Sequence, residues 1–411
     1  MKRVVNSALP PRAWKYLKSI KTADILVGIP SYNNAHTINY VIYQAAKGLE
    51  TYYPNLKSVI FISDGNSTDG TLAVVEAMHL PFQINVVPVT YSGISGKGSA
   101  VKAIFEAANF LEVKAVALVD SDLRSITPDW IHLLISPTLM GTGFVTPFYV
   151  RHKYDGTITN FLCYPITSSL YGKKIRQPIG GDFGVSIQLV KELLKSPLLQ
   201  IHDVRRFGID IFETHTALAE KFKVKQAFLG SKVHEARDPA THLAAMFRQV
   251  AGSMFACIEH YEGIWRGVRS CHKVEIIGEE TYTKMPEAIY VSLPNLIRTY
   301  KIGFDKNRQV YRKILSDDLF KEAEEVKRMN METLLSPETW AKIVFSFIAG
   351  FEKAEESKRE RLLEAFRVLW IGKVGTFVKE TLDLDTMKAE KKIEEEAKVF
   401  IKFKSYLLDL F

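Results

Sequence analysis

Four short apolar runs, separated by helical patterns, constrain this chain more than any other feature. They are Asp24-Ile-Leu-Val-Gly-Ile-Pro30, Ser58-Val-Ile-Phe-Ile-Ser63, Ile84-Asn-Val-Val-Pro-Val89 and Val116-Ala-Leu-Val119. Helices are expected between them, over about 37–50, 71–78 and 100–110. Short apolar runs bounded by polar residues read as buried parallel strands. Their alternation with helices argues an α/β fold, a parallel sheet with helices on both faces.

The fourth run ends in Asp120-Ser121-Asp122-Leu123. In an open α/β sheet, ligands bind beyond the carboxyl ends of the strands. Two carboxylates there repel each other unless something positive lies beside them, and a hard divalent cation carrying a phosphorylated ligand would serve. The pattern alone means little, because Asp383-Leu-Asp385 repeats it ahead of a Lys/Glu-rich run, where it reads as a helix start. Position at a strand end sets Asp120 and Asp122 apart.

Other loops follow the same plan. Asp64-Gly-Asn-Ser-Thr-Asp69-Gly-Thr71 is turn-rich and holds several helix caps. Gly96-Lys97-Gly98 opens a helix without P-loop spacing; it suits a phosphate at a helix start, or is a plain turn. A helical stretch begins at Trp130, a strand spans 143–150, and Arg151 follows it. Gln177-Pro-Ile-Gly180-Gly181-Asp182 is a tight turn before a strand or short helix. Asp210 stands at the start of a helix running to about Lys221, and a last strand, 224–229, ends near His234.

Beyond about residue 240 helical periodicity dominates: His242–His260, Pro286–Tyr300, Phe304–Arg328, Pro337–Phe366 and Lys388 to the end. Val344-Phe-Ser-Phe-Ile-Ala-Gly350 is apolar on several sides and belongs in a core or a subunit contact. Residues 1 to about 22 read as a lead-in.

With 411 residues and 47% hydrophobic content the chain can fill two domains. No apolar run spans a bilayer and the basic N-terminus lacks a signal peptide's core, so a cytoplasmic protein with no membrane role is expected. Cys163, Cys257 and Cys271 have no metal-ligand spacing, which fits a reducing compartment. The net charge of +8 lacks the dense basic block with aromatics that marks nucleic-acid binding. It reflects a Lys-rich surface or a site for anionic small molecules.

Taken in order, Pro30-Ser31-Tyr32-Asn33-Asn34, Asp64-Gly-Asn-Ser-Thr-Asp-Gly-Thr, Gly96-Lys-Gly and Asp120-Ser-Asp resemble the nucleotide-binding half of GT-A glycosyltransferases. Thr127-Pro-Asp-Trp-Ile, Gln177-Pro-Ile-Gly-Gly-Asp, Gly208-Ile-Asp and Val233-His234 narrow this. They resemble retaining mannosylglycerate synthases and the related glucosyl- and mannosyl-3-phosphoglycerate synthases. The resemblance covers about residues 24–255 and implies a Rossmann-like GT-A domain over 1–255, with a nucleotide-binding half near 24–123 and an acceptor half near 124–255. An all-α C-terminal region over 256–411 would follow.

The resemblance also implies roles. Asp64 would contact the donor base, with Pro30, Ser31, Tyr32 and Asn33 lining its pocket, and Lys97 would meet the diphosphate. Asp120, with Ser121, would face the ribose. Asp122 and His234 would bind Mg2+ or Mn2+, a mixed carboxylate–imidazole set that diphosphate oxygens and water would complete. Gly180, Gly181 and Asp182 would receive the donor sugar. Asp210, read from sequence as a helix-start carboxylate or a group near the sugar, would join Asp122 and Lys97 in catalysis. Arg151, Thr159 and Asn160 would hold the acceptor carboxylate.

The implied activity is transfer of glucose or mannose from a UDP- or GDP-sugar to D-glycerate or 3-phospho-D-glycerate, with retention, as in compatible-solute synthesis. Phosphoglycerate-using relatives carry an Arg where this chain has Thr157, although Lys153 or Lys173 could substitute, so both acceptors stay open. A homodimer through the helical tail is expected. Three rivals are weighed: an inverting, dolichyl-phosphate mannose synthase-like transferase to a polyprenyl phosphate, a nucleotidyltransferase, and a non-catalytic sugar-nucleotide sensor.

Overall fold

The structure, a computed structural model, describes residues 7–234, 243–279 and 286–411. The chain divides into two compact units. The first takes Met1–Val150, Gln177–Glu235 and Val274–Pro286; the second takes Arg151–Arg176, Ala236–Lys273 and Glu287–Phe411. The units thus interleave along the chain instead of meeting at one cut near residue 255.

The first unit is built on a mixed sheet. Its strands are β1 (Ile25–Ser31), β2 (Ser58–Asp64), β3 (Asn85–Thr90), β4 (Ala115–Leu118), β5 (Phe144–Val150), β6 (Phe183–Ser186), β7 (Val224–Ser231) and β8 (Ile276–Ile277). Their order is β8-β7-β5-β6-β4-β1-β2-β3. All neighbours are parallel except β6, which runs antiparallel to both β4 and β5. The parallel arrangement expected over about 24–123 holds for β1 to β4, and the strand or short helix expected after the Gly180-Gly181 turn is the short antiparallel strand β6. β1, β2 and β4 are buried along their whole length, as strands covered on both faces must be.

Helices α1 (Ile38–Tyr52), α2 (Lys97–Phe110), α3 (Pro128–Leu139) and α4 (Ile209–Ala219) belong to this unit. Ile42, Ala45 and Leu49 of α1 join Val27, Ile29, Ile60, Ile62 and Ala117 of the sheet, with Trp130 and Leu134 of α3, in one core. Each large aliphatic side chain so buried contributes about 1.5–3 kcal/mol. The expected lead-in holds a helix of its own, Pro11–Ile20, started by a proline in its first turn.

The second unit is helical. The expected helix start at His242 lies outside the described residues, and the helix is described over Ala244–His260. Pro286 does not open a helix; Ser292 does, accepting from the Asn295 N–H ahead of Leu293–Ile314. Ser316 caps Asp317–Arg328 in the same way, which breaks the run expected over 304–328. Pro337–Glu352 and Glu356–Glu380 are likewise two helices. Asp385 caps Thr386–Lys402 through the Lys388 N–H at 2.7 Å, so the second Asp-x-Asp is a helix start. Val344, Phe345, Phe347 and Ile348 are buried within this unit.

Candidate active site

Parallel register brings the ends of β1, β2 and β4 together: Ser31 pairs with Asp64, Pro30 with Ser63 and Gly28 with Leu118. The loops beyond them form a rim. The Asp64 carboxylate is fully buried and accepts from Ser31 Oγ at 2.9 Å, Ser67 Oγ at 2.6 Å and the Ser67 N–H at 2.8 Å. Its first task is therefore to fold its own turn against β1. Asn33, at φ +55°, accepts from the Thr68 N–H and donates its own N–H to Ser67 Oγ. Tyr32, by contrast, is 61% exposed.

Asn34 is a residue that sequence reasoning left without a role. Its Oδ1 accepts from Ser121 Oγ at 2.7 Å, while Thr37 Oγ1 donates to the Ser121 carbonyl at 2.8 Å. Ser121 is thereby held from both ends, which fixes Asp120 and Asp122 on either side of it.

Asp120 is the hub. Lys97 Nζ lies 2.8 Å from its Oδ1 and Lys232 Nζ 2.9 Å from its Oδ2. Lys97 also reaches Asp210 Oδ1 at 3.3 Å, and Lys232 reaches Asp182 Oδ2 at 2.9 Å and the Gly180 carbonyl at 2.7 Å. Burial by itself would raise the Asp120 carboxyl, but the Lys232 and Lys97 ammonium groups hold it well below the usual carboxylate range. Burial would lower Lys97, yet Asp120, Asp210 and Asp182 together drive it above its ordinary value.

Asp182 is fully buried and both of its oxygens are engaged by protein. Oδ1 accepts from the Asp120 N–H at 2.8 Å; Oδ2 accepts from Tyr149 OH and Lys232. Burial, opposed by Lys232 and reinforced by Asp120, raises its carboxyl above the ordinary value. The expectation that Asp182 takes sugar hydroxyls meets a carboxylate already committed to supporting Asp120. Gly181 beside it has φ +85°, and a Cβ there would fall 1.9 Å from Asp120 Oδ2, so only glycine lets this turn approach the carboxylate.

Lys232 is the largest omission of the sequence reading. The available signal was its position one residue past the end of β7, where the carboxyl ends of the sheet place ligand-facing groups. Two more buried groups on α4 were also missed. Glu213 is buried, neither carboxyl oxygen has a hydrogen-bond partner among the described residues, and burial, with Asp210 adding to it and Lys97 opposing, pushes it well above its ordinary value. His215 is pushed down to about 3 by burial.

Asp122 is half-buried, and its carboxylate has no hydrogen-bond partner among the described residues. The chain after it is stitched to the chain after β7. The Arg124 N–H donates to the Val233 carbonyl at 2.9 Å, the Val233 N–H to Ser125 Oγ at 2.9 Å, and Arg124 Nη2 to the His234 carbonyl at 3.2 Å. Asp122 and His234 thus lie on two segments held together, with one carboxylate uncommitted, which fits a shared hard cation. Among the described residues no group of three or more His, Cys, Asp or Glu side chains is placed to hold a metal ion.

The start of α2 does not offer the free N–H groups expected of it. The Gly98 N–H donates to the Arg206 carbonyl at 2.9 Å and the Ser99 N–H to the Arg205 carbonyl at 2.9 Å. A Cβ on Gly98 would lie 2.0 Å from the Val204 carbonyl oxygen, so glycine is required by chain packing rather than by a phosphate.

The three expected acceptor residues belong to the second unit. Arg151 Nη1 lies 3.1 Å from Asp155 Oδ2. Thr159 and Asn160 stand on a π-helical turn, Thr159–Cys163, a form often found at functional sites. Asn160 is spent: its Oδ1 accepts from Arg176 Nη2 at 2.8 Å and its Nδ2 donates to the Asp155 carbonyl at 3.0 Å. Arg176 also reaches Glu390 Oε2 at 2.8 Å. Lys153 is spent as well, donating to the carbonyls of Thr381 at 2.6 Å, Leu382 at 3.1 Å and Leu384 at 2.7 Å.

No curated protein matches the chain. Glucosyl-3-phosphoglycerate synthase from Mycobacterium tuberculosis, solved with Mn2+, UDP-glucose and phosphoglyceric acid, is 24% identical over 61% of this chain and 85% of that one, with a TM-score of 0.45. The same enzyme with Mg2+ and UDP is 24% identical over 61% and 84%, with a TM-score of 0.46. The family described as glycosyl transferase family 2 matches residues 26–186, the stretch from β1 through β6, and over that stretch the chain carries a glycosyltransferase domain.

Proposed function

We propose that this protein is a metal-dependent retaining glycosyltransferase that moves glucose or mannose from a UDP- or GDP-sugar to D-glycerate or 3-phospho-D-glycerate. One observation carries the reading: a family 2 domain whose β4 end holds Asp120 between Lys97 and Lys232 and leaves the Asp122 carboxylate uncommitted beside it. Uncommitted anionic oxygen at such a strand end is what a hard cation needs.

In this reading Asp122 and His234 would hold Mg2+ or Mn2+, which would supply positive charge to the leaving diphosphate. Lys97 meets the same developing charge from the protein side. Asp120 orients Lys97 and faces the ribose with Ser121. Tyr32 and the turn built on Asp64, Ser31 and Asn33 form the base pocket, which Pro30 backs. Gly180 and Gly181 bring main chain close to the sugar, with Asp182 behind them, and Asp210 lies on the sugar side of Lys97. Arg151 and Thr159 hold the acceptor carboxylate, and Asn160 keeps their turn in shape. No described side chain stands out as a nucleophile, so attack by the acceptor hydroxyl on the face that the diphosphate leaves accounts for retention.

Among the described residues no helix is long and apolar enough to cross a membrane. A homodimer completes the reading, tested by sedimentation, although Val344–Gly350 is spent inside its own unit and does not supply the contact.

The test is incubation with UDP-glucose or GDP-mannose, Mn2+, and glycerate or 3-phosphoglycerate, with the products resolved by NMR. Release of nucleoside diphosphate with an α-linked hexosyl acid is expected. Parallel incubations separate the rivals: release of pyrophosphate from UTP or GTP with a hexose 1-phosphate would make the protein a nucleotidyltransferase, a β-linked product with added polyprenyl phosphate would make it an inverting lipid transferase, and donor binding without turnover in any mixture would make it a sensor.

A further inference from the structure

The charge of the cluster at the end of β4 poses a problem for a diphosphate. Two ammonium groups, Lys97 and Lys232, stand among three carboxyl groups, Asp120, Asp182 and Asp210. Both lysines are therefore already offset by protein anions. The helix start beside them gives little relief, because the Gly98 and Ser99 N–H groups are taken by main-chain carbonyls and the Gly96 N–H by Tyr91 OH at 2.8 Å. A dianionic ligand brought here would gain from a further side-chain cation that no protein carboxylate offsets, beside whatever charge a metal supplies.

The chain that covers this helix start carries two adjacent arginines with different fates. Arg205 is buried, and its Nε donates to Ser99 Oγ at 3.2 Å, which ties it into the packing of α2. Arg206 is half-buried, its Nε is enclosed without a hydrogen-bond partner, and no ion pair or ring contact engages its guanidinium among the described residues. It also lies against the loop that presents Lys97. A Cβ on Gly96 would fall 2.8 Å from both the Cα and the Cγ of Arg206, and the Arg206 carbonyl holds the Gly98 N–H. A partly enclosed guanidinium with no protein partner is unsatisfied until an oxyanion arrives.

We infer that Arg206 is a phosphate-gripping residue of the donor site, adding side-chain charge to what the carboxylate-paired lysines and the largely occupied helix start provide. This rests on the donor reading proposed above. Arg206 meets the diphosphate through its planar fork, which distinguishes it from Lys97, whose point charge is shared with two carboxylates. Arg206 acts on the phosphates alone, so its share of the affinity grows from nucleoside to nucleoside diphosphate.

The experiment is calorimetric titration of UDP, GDP, uridine and guanosine, with Mn2+ and separately with EDTA, into the full chain and its Arg206→Ala and Arg206→Lys variants. For the diphosphate that the wild type binds, Arg206→Ala is expected to lose tenfold or more in affinity, with and without metal. Nucleoside binding stays unchanged, Arg206→Lys recovers part of the loss, and the melting temperature stays within about a degree. Diphosphate affinity within twofold of wild type in Arg206→Ala would overturn the inference. A fall in melting temperature of several degrees in both variants would also overturn it, by showing that Arg206 is structural. Wild-type protein that binds neither UDP nor GDP would instead defeat the donor reading itself.

Discussion

Lys232 Nζ and Asp120 Oδ2 stand 2.9 Å apart at the carboxyl end of the sheet, on the far side of the same carboxylate that Lys97 holds at 2.8 Å. Lys232 also reaches Asp182, and its side chain is 4% exposed. Removing a buried charge from such a set leaves its partners uncompensated. Lys232→Ala is expected to cost about 3–5 kcal/mol of stability, read as a lowered urea midpoint at pH 7. A midpoint equal to wild type would show that water or rearrangement compensates Asp120 and Asp182.

Gly181 and Gly70 make a matched pair. Their φ angles are +85° and +88°, but a Cβ on Gly181 would fall 1.9 Å from Asp120 Oδ2, whereas one on Gly70 would meet nothing within 4 Å. Gly70→Ala is therefore expected to cost only the backbone term, about 1 kcal/mol. Gly181→Ala adds a clash with the hub carboxylate, so it should lower the melting temperature further and abolish transfer. Equal melting temperatures for the two variants would show that the turn can move off Asp120 at little cost.

Asp122 presents the contrasting case, a carboxylate that supports nothing among the described residues. Asp122→Ala is expected to leave the melting temperature of the metal-free protein unchanged or slightly higher. Transfer should be lost, together with any Mn2+-induced rise in melting temperature. Retained transfer in this variant under EDTA would end the role given to the metal.

Lys153 separates two readings of the acceptor loop. As a phosphate grip it would set the choice of acceptor. The structure spends it on three carbonyls at and beyond the end of helix Glu356–Glu380, a favourable place for a cation. Lys153→Met is expected to cost about 1.5–3 kcal/mol, the worth of hydrogen bonds to a charged group. It should move the KM values for glycerate and 3-phosphoglycerate alike. A rise confined to 3-phosphoglycerate would mean that Lys153 leaves the carbonyls for the ligand.

What could be read from the sequence follows from how local each cause is. Strands β1, β2 and β4 are legible because a doubly covered strand is apolar throughout, and the helices between strands start at turn chemistry written in neighbouring residues. Asp120 is legible as important because it follows directly on such a strand. Lys232 also follows directly on a strand, but what it does there is hidden, since its partners Asp182 and Asp120 lie 50 and 112 residues away. The blocked start of α2 is hidden for the same reason: the carbonyls that occupy it belong to Arg205 and Arg206. Lys153 and Asn160 look like ligand groups because the carbonyls and guanidinium that consume them come from distant segments.

Helix α4 carries two buried titratable groups with opposite effects on pH stability. The folded Glu213 carboxyl is raised above its ordinary 4.5 by burial, with Asp210 adding to it and Lys97 opposing. Its folded form holds the proton more tightly than the unfolded chain, so its stability is fully present below pH 4.5 and is lost as pH rises above it. His215 is lowered from 6.5 to about 3, so its contribution is fully present above pH 6.5 and is lost as pH falls toward 3. Each group can tilt stability by up to about 1.4 kcal/mol per pH unit within its own window. Glu213→Gln should remove the fall toward alkaline pH while leaving the acid-side fall in place, and His215→Gln should do the reverse. Urea midpoints from pH 4 to pH 8 measure both; slopes that survive both substitutions would assign the pH dependence to other groups.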